Sequence, residues 1–445
     1  MFSASGLADA ATIPSTSVAP AEVISDVVIG PRLHELTIDS PAMGGEIKAR
    51  LLVPVGWDQD PNRSRPVLYL LHGAKGNEST WTKKPGLTEM LAPYDVLVIM
   101  PDGGEAGFYS NWHHNNNGPT PAYETHHLVE LRQILEDRYN ANGRYSIAGA
   151  SMGGFGTMSY AARHPDMFAA AASISGALDI GLADPLGVQS LAGIAGVAAP
   201  IDLTSIWGPK GSGEVTWRAH NPADLASNLD EVELRVGGGN GVPTAEERRP
   251  GGLNPGGLNP NEPKLALVTT LETGTLAMSK SFVNQLNRFD VDVTTDFYGA
   301  GLHTGPYFTG QLERSLPMLM AALQQDRPVP SSFRYRSGER SFSVWGWKLT
   351  TSWSEPTFTD LVVDGKEIHL AGRGLVTVTT PGKFKAGKTY QISNRRMRQE
   401  VVADTDGSLT FTLDLGDTAR EYRGPLKDRP GKRPLRGVRV AITPK

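Results

Sequence analysis

The chain has 445 residues, 39% of them hydrophobic and 20% charged, a globular composition with room for about two or three domains. A net charge of −4 gives no global attraction to nucleic acid or to an anionic membrane, and no apolar run is long enough to span a bilayer. The absence of Cys removes disulfides, thiolate metal sites and Cys nucleophiles together.

Residues 1–30 read as a flexible tail. The first part is small and polar, without a basic start or a full apolar stretch, so it is not a complete signal peptide. Ala8-Asp9-Ala10 is like the end of one, which fits either a plain tail or an exported protein whose leader lies outside this sequence. Residues 33–39 and 46–53 alternate as antiparallel strands do. Residues 66–72, 95–100, 145–150 and 168–175 are continuous apolar runs, as buried central strands are, and 232–236 and 291–298 complete the series. Helical periodicity lies between them at 123–139, 270–286 and 311–323. This alternation predicts an α/β domain over 31–326 with a mostly parallel sheet covered on both faces. Residues 237–263, with Gly-Gly-Leu-Asn-Pro twice in tandem, read as a long mobile loop: a plain insertion or a rim beside the site. Past Pro330 the helical period disappears. Short alternating strands at 341–349, 360–363, 375–379, 389–392, 408–413 and 438–442 predict a C-terminal all-β sandwich over 333–445. Its last stretch, from Arg420, is basic.

Gly149-Ala150-Ser151-Met152-Gly153 is a G-x-S-x-G motif between an apolar strand and a helix rich in small residues. That context makes Ser151 the candidate nucleophile, pushed out on a turn too tight for side chains at the two glycines. The oxyanion formed on attack needs two N–H donors. The backbone of Met152 supplies one, and the loop Leu70-Leu71-His72-Gly73-Ala74-Lys75-Gly76 offers the other at Ala74. The base must follow the serine. Of His164, His220, His303 and His369, only His303 sits on a loop between a late strand and a helix. The acid lies between Ser151 and His303. Glu246, Glu247, Glu262, Glu272, Asp290, Asp292 and Asp296 fall in that window; position favours Glu272, at the opening of a helix, with Glu262 next. The adjacent pairs His113-His114 and His126-His127 point their side chains apart, so no metal site is expected, and no cofactor.

These residues resemble a known family. The chain is similar to the putative-esterase branch of the α/β-hydrolases, and within it to the antigen 85 mycolyltransferases (diacylglycerol acyltransferase/mycolyltransferase). The shared strings are L-L-H-G-A-K, V-I-M-P-D-G-G-E-A-G-F-Y-S-N-W ending at Trp112, G-A-S-M-G-G, I-W-G-P, G-G-N-G and the G-x-H at His303. The resemblance implies an α/β-hydrolase fold, Ser151 as acyl acceptor, His303 as base and the Ala74 and Met152 N–H groups as oxyanion donors. Its acid sits in an L-E pair, which matches Leu271-Glu272. It implies Lys75, Trp81, Phe108 and Trp112 as substrate-binding residues, although aromatics there equally suit core packing.

The implied function is acyl transfer from esters of sugars or envelope glycolipids through an acyl-Ser151 intermediate, in a secreted or cell-envelope protein. The rival is a secreted carbohydrate esterase of feruloyl or acetyl type. A non-catalytic envelope-binding protein is the remote alternative. The β-domain is then a packing partner or a glycan binder, with Trp345, Trp347 and Trp353 as a possible sugar platform. Departures from the family pattern are His72 for Asp, Lys75 for Arg, Gly305 for Trp, and His113–Gly118 in place of a Cys-bearing loop.

Overall fold

The computed structural model describes residues 20–115, 118–182, 202–211, 213–245, 247, 263–353, 355–395, 397–416 and 437–445. The first strands are β1 (Glu22–Gly30), β2 (Leu33–Ser40) and β3 (Gly45–Leu52). They are followed by β4 (Arg65–Leu71), β5 (Leu97–Pro101), β6 (Ala141–Ala150), β7 (Phe168–Ile174), β8 (Glu233–Gly238) and β9 (Thr294–Phe297). They form one sheet in the order β1-β2-β3-β5-β4-β6-β7-β8-β9. The pairs from β1 to β5 are antiparallel, and those from β5 through β9 are parallel.

Four helices matter for the site: α1 (Leu131–Tyr139), α2 (Met152–Arg163), α3 (Pro263–Arg288) and α4 (Gly305–Ala322). Because side chains alternate along a strand, β4 feeds two cores. Val67, Tyr69 and Leu71 pack with Ile147, Met152 and Phe155 on one face. Leu68 and Leu70 pack with Leu312, Leu316 and Leu319 of α4 on the other. Burial on both faces is why these strands read as unbroken apolar runs. Among the described residues, no helix is long and apolar enough to cross a membrane.

The C-terminal region is two antiparallel sheets. Six strands run β10 (Ser332–Ser337), β13 (Thr359–Asp364), β14 (Glu367–Ala371), β19 (Val438–Pro444), β16 (Thr389–Ser393) and β17 (Arg398–Val402). Four run β11 (Ser341–Val344), β12 (Trp347–Thr351), β15 (Leu375–Thr379) and β18 (Thr410–Asp414). Phe333, Leu361 and Ile368 of the first sheet share a core with Trp347, Val376 and Phe411 of the second, so the two pack face to face. Trp345 and Trp347 belong to that core, and Trp353 is buried under the Arg340 guanidinium. The sugar platform therefore has no exposed rings to work with.

Several sequence boundaries need correction. Residues 22–30, expected within the tail, are β1: a Val/Ile-rich segment held by its ladder to β2. The loop expected over 237–263 begins inside β8, and its next residues are tied down. Asn240 and Gly241 N–H groups donate to the carbonyls of Gly299 and Gly301 at 2.8 and 2.9 Å. Residues 248–262 lie outside the described residues, as do residues 1–19 and the basic positions from Arg420 to Arg436. Strands β10, β14 and β17 had no clear sequence signal. β14 and β17 mix charged and apolar residues, Glu-Ile-His-Leu-Ala and Arg-Gln-Glu-Val-Val.

Candidate active site

Ser151 ends β6 and caps α2 with φ 58 and ψ −118. A non-glycine residue rarely adopts such a backbone, and the cost is on the order of 1–3 kcal/mol. The flanking glycines make the turn possible. A Cβ on Gly149 would fall 2.4 Å from the Gly153 carbonyl oxygen, and one on Gly153 would fall 2.4 Å from that of Leu71. The turn leaves the serine at the carboxyl end of the sheet and only 6% exposed.

His303 lies between β9 and α4. Its Nε2 is 2.8 Å from Ser151 Oγ and its Nδ1 is 2.6 Å from Glu272 Oε2. Glu272 is fully buried. Its other oxygen, Oε1, accepts the Ser175 hydroxyl at 2.8 Å and the Gly239 N–H at 2.6 Å. With Nδ1 donating to the carboxylate, the His303 proton sits on Nδ1 and Nε2 faces the serine as an acceptor. Phe308 closes one side of the imidazole edge-on at 4.9 Å.

The structure thus brings Ser151, Glu272 and His303 together. One detail of position changes. Glu272 does not open its helix: α3 starts at Pro263, so Glu272 is an interior helical residue aimed into the protein. Glu246 and Glu262 lie outside the described residues. Glu247 turns elsewhere and accepts the Tyr307 hydroxyl at 3.0 Å. Asp296 is paired with Arg235 and Arg314. The other histidines are engaged away from the serine. His164 meets Glu124 at 2.7 Å, His220 Nδ1 donates to the Thr216 carbonyl at 2.8 Å, and His369 is in β14. His126 and His127 diverge, to Glu130 and to Tyr160.

Met152 is the first residue of α2, where the helix's own carbonyls do not reach its N–H. Gly73 lies against Ser151, since a Cβ there would be 3.3 Å from Ser151 Cβ. Among the described residues no backbone carbonyl accepts the N–H of Ala74, while the neighbouring Lys75 N–H is taken by Glu105 at 2.8 Å. A developing oxyanion needs two N–H donors, and these two are the candidates.

The aromatic expectations fare differently. Phe108 is fully buried against Phe155 and Trp207, at 5.7 and 5.4 Å between ring centroids. Trp81 is buried, and its indole N–H donates to the Leu71 carbonyl at 2.9 Å. Both are core residues and not substrate rim. Trp112 is half-buried, its indole N–H donating to the Gly107 carbonyl at 3.2 Å. Lys75 is exposed at the loop tip with φ 59. Beside Gly305 the space is taken by Lys84, whose Nζ would be 2.5 Å from a Cβ there.

Residues 40–317 match the family model described as putative esterase. The chain belongs to this esterase family. An esterase of Mycobacterium tuberculosis is 35% identical over 150 residues, which is 33% of this chain and 32% of its own length, so this chain spans about a third of that relative. The diacylglycerol acyltransferase/mycolyltransferase Ag85A of Mycobacterium leprae is 32% identical over 236 residues, 51% of this chain and 67% of that one. Among solved structures, Mycobacterium tuberculosis MPT51 superposes with a TM-score of 0.51 at 22% identity, covering 66% of this chain and 100% of the other. That likeness shows the α/β-hydrolase fold.

Four supports of this candidate site were missed in sequence. Ser175, at the end of β7 with φ 48, and Gly239 hold the far oxygen of Glu272. Gln311 stands behind Ser175 at 3.4 Å. Tyr109, in the F-Y-S-x-W string, donates its hydroxyl to the His72 carbonyl at 2.7 Å. The G-G-N-G and F-Y-S-x-W strings were the available signals for two of them; nothing local marks Ser175 or Gln311.

Proposed function

We propose that the protein is a serine esterase or acyltransferase acting on carboxylic esters of sugars or envelope glycolipids, by way of an acyl-Ser151 intermediate. The observation that carries this reading is the unbroken chain from Ser151 Oγ to His303 at 2.8 Å and from His303 to Glu272 at 2.6 Å. His303 Nε2 takes the hydroxyl proton as Oγ attacks the ester carbonyl carbon. The imidazolium that forms is stabilised by Glu272, and the oxyanion by the N–H groups of Ala74 and Met152. His303 then gives its proton to the departing alkoxide. In the second half an alcohol or water, deprotonated by His303, attacks the acyl-serine and releases it.

Transfer and hydrolysis differ only in that second nucleophile. A relative named as a diacylglycerol acyltransferase/mycolyltransferase supports transfer to an acceptor other than water. A relative named as an esterase supports release to water. The same family likeness motivates a secreted or cell-envelope location. The β-domain, with its tryptophans buried, is taken as a packing partner of the catalytic domain and not as a glycan binder.

Product analysis tests the reading. The protein is given a trehalose ester with free trehalose, and separately a short aryl ester. Acyl exchange between sugars supports the transferase reading; free acid alone, with sugar acceptors present, leaves only hydrolysis. No turnover of either ester contradicts both.

A further inference from the structure

We propose that His72 is a positioning residue that aims the Ala74 N–H at the oxyanion. This rests on the reading above, in which that N–H is an oxyanion donor.

His72 is 1% exposed, at the end of β4. The Gly103 N–H donates to its Nε2 at 2.8 Å. A backbone N–H can only donate, so Nε2 carries a lone pair and the ring proton of the neutral imidazole is on Nδ1. Nδ1 lies 2.8 Å from the Gly73 carbonyl oxygen and therefore donates to it. Asp102 Oδ1, 3.6 Å from Nε2, is too far for a hydrogen bond and faces a nitrogen with no proton to give.

The Gly73 carbonyl belongs to the same peptide unit as the Ala74 N–H. In a trans peptide the two point in opposite directions, and the unit is planar. Among the described residues no peptide bond is cis. Fixing the oxygen therefore fixes the N–H. Two donors hold that oxygen: His72 Nδ1 and the Gly76 N–H, at 3.0 Å. A carbonyl that accepts hydrogen bonds also makes its own N–H a stronger donor.

The ring is closely packed. Gly76 lies so near that a Cβ there would fall 2.7 Å from His72 Nδ1, and the Tyr109 ring stands 5.9 Å from the imidazole with its hydroxyl on the His72 carbonyl. The imidazole thus ties the loop 72–76 to the loop after β5, through one acceptor and one donor.

The test compares His72→Asn, His72→Leu and His72→Asp. An Asn amide presents an N–H near the Nδ1 position. Leu removes the donor at similar bulk. Asp, isosteric with Asn, presents only acceptors to the Gly73 oxygen. The readouts are kcat and KM on a short aryl ester, the affinity for a trifluoromethyl ketone that forms a tetrahedral adduct, and the thermal melt.

The expected result for His72→Leu is a kcat lower by about 10²-fold with KM nearly unchanged, and a matching loss of ketone affinity. His72→Asn should recover most of that loss, and His72→Asp should be at least about tenfold slower than Asn. A folded Leu variant with normal kcat overturns the proposal. If Leu does not fold, equal rates for Asn and Asp overturn it. Ser151→Ala in the same assay separates the two levels: if turnover survives that change, the catalytic reading falls and this one with it.

Discussion

Tyr335 in β10 donates its hydroxyl to the carbonyl of Arg163, the last residue of α2, at 2.6 Å. The bond joins the β-domain to the element that carries Ser151 at its other end. Around it, Asn228 donates to the carbonyls of both Ala162 and Arg336 at 2.9 Å and accepts the Arg336 N–H at 2.8 Å. Phe358 of the β-domain is part of the main core of the α/β domain. The second domain is therefore built into the first.

Ending the chain at Asp326 should lower the melting temperature sharply and give poorly soluble protein. The cut strips partners from the buried Asn228 amide and opens the core at Phe358. A buried polar group left without a partner costs about 1–3 kcal/mol. Thermal melts of both lengths check this. A truncated chain with an unchanged melt would show that the domains are independent.

Ser175→Ala should lower kcat by about tenfold with KM unchanged, the size of one hydrogen bond to a charged group. The variant leaves Glu272 Oε1 with the Gly239 N–H alone, so the carboxylate holds His303 less firmly. Steady-state kinetics on an aryl ester measure it. Wild-type kcat in a folded variant would mean that the Gly239 N–H suffices.

How much of this was legible in the sequence depends on the range of the interactions. The Gly149–Gly153 turn is local, so its strand, glycines and helix were readable together. His303 followed from its place between a strand and a helix. Glu272 was reachable only by position, because its partners Ser175 and Gly239 follow β7 and β8 and its helix, α3, starts seven residues before the predicted one. Trp81 and Phe108 misled for the same reason: whether an aromatic beside a motif lines a rim or fills a core is decided by distant partners, here Leu71, Phe155 and Trp207. The Val/Ile-rich run of β1 was visible, but its pairing with β2 had no separate signal.

Acid should destabilise the fold through buried neutral histidines. Burial, with help from the Arg163 charge, pushes His220 down to about 4. Burial also holds His127 well below its ordinary value. An unfolded His titrates near 6.5, so between about pH 6.5 and about pH 4 the unfolded chain binds protons that the folded one does not. The stability from His220 is full above that range and is lost as pH falls through it. Glu124 adds to this at lower pH. Burial alone would raise its carboxyl, but Arg163, His164 and His220 outweigh it and hold the group below its usual range. Melts across this window should fall with pH, and His220→Gln should flatten part of the slope. An unaltered slope would contradict the assignment.

Ser151 is the group proposed to take the acyl chain. An aryl phosphonate ester, incubated with the intact protein and followed by peptide mass spectrometry, tests it directly. The expected result is a single stoichiometric adduct on Ser151, absent from Ser151→Ala and much slower to form in His303→Ala. A folded protein that stays unlabelled, or that is labelled elsewhere while ester turnover continues, would contradict it.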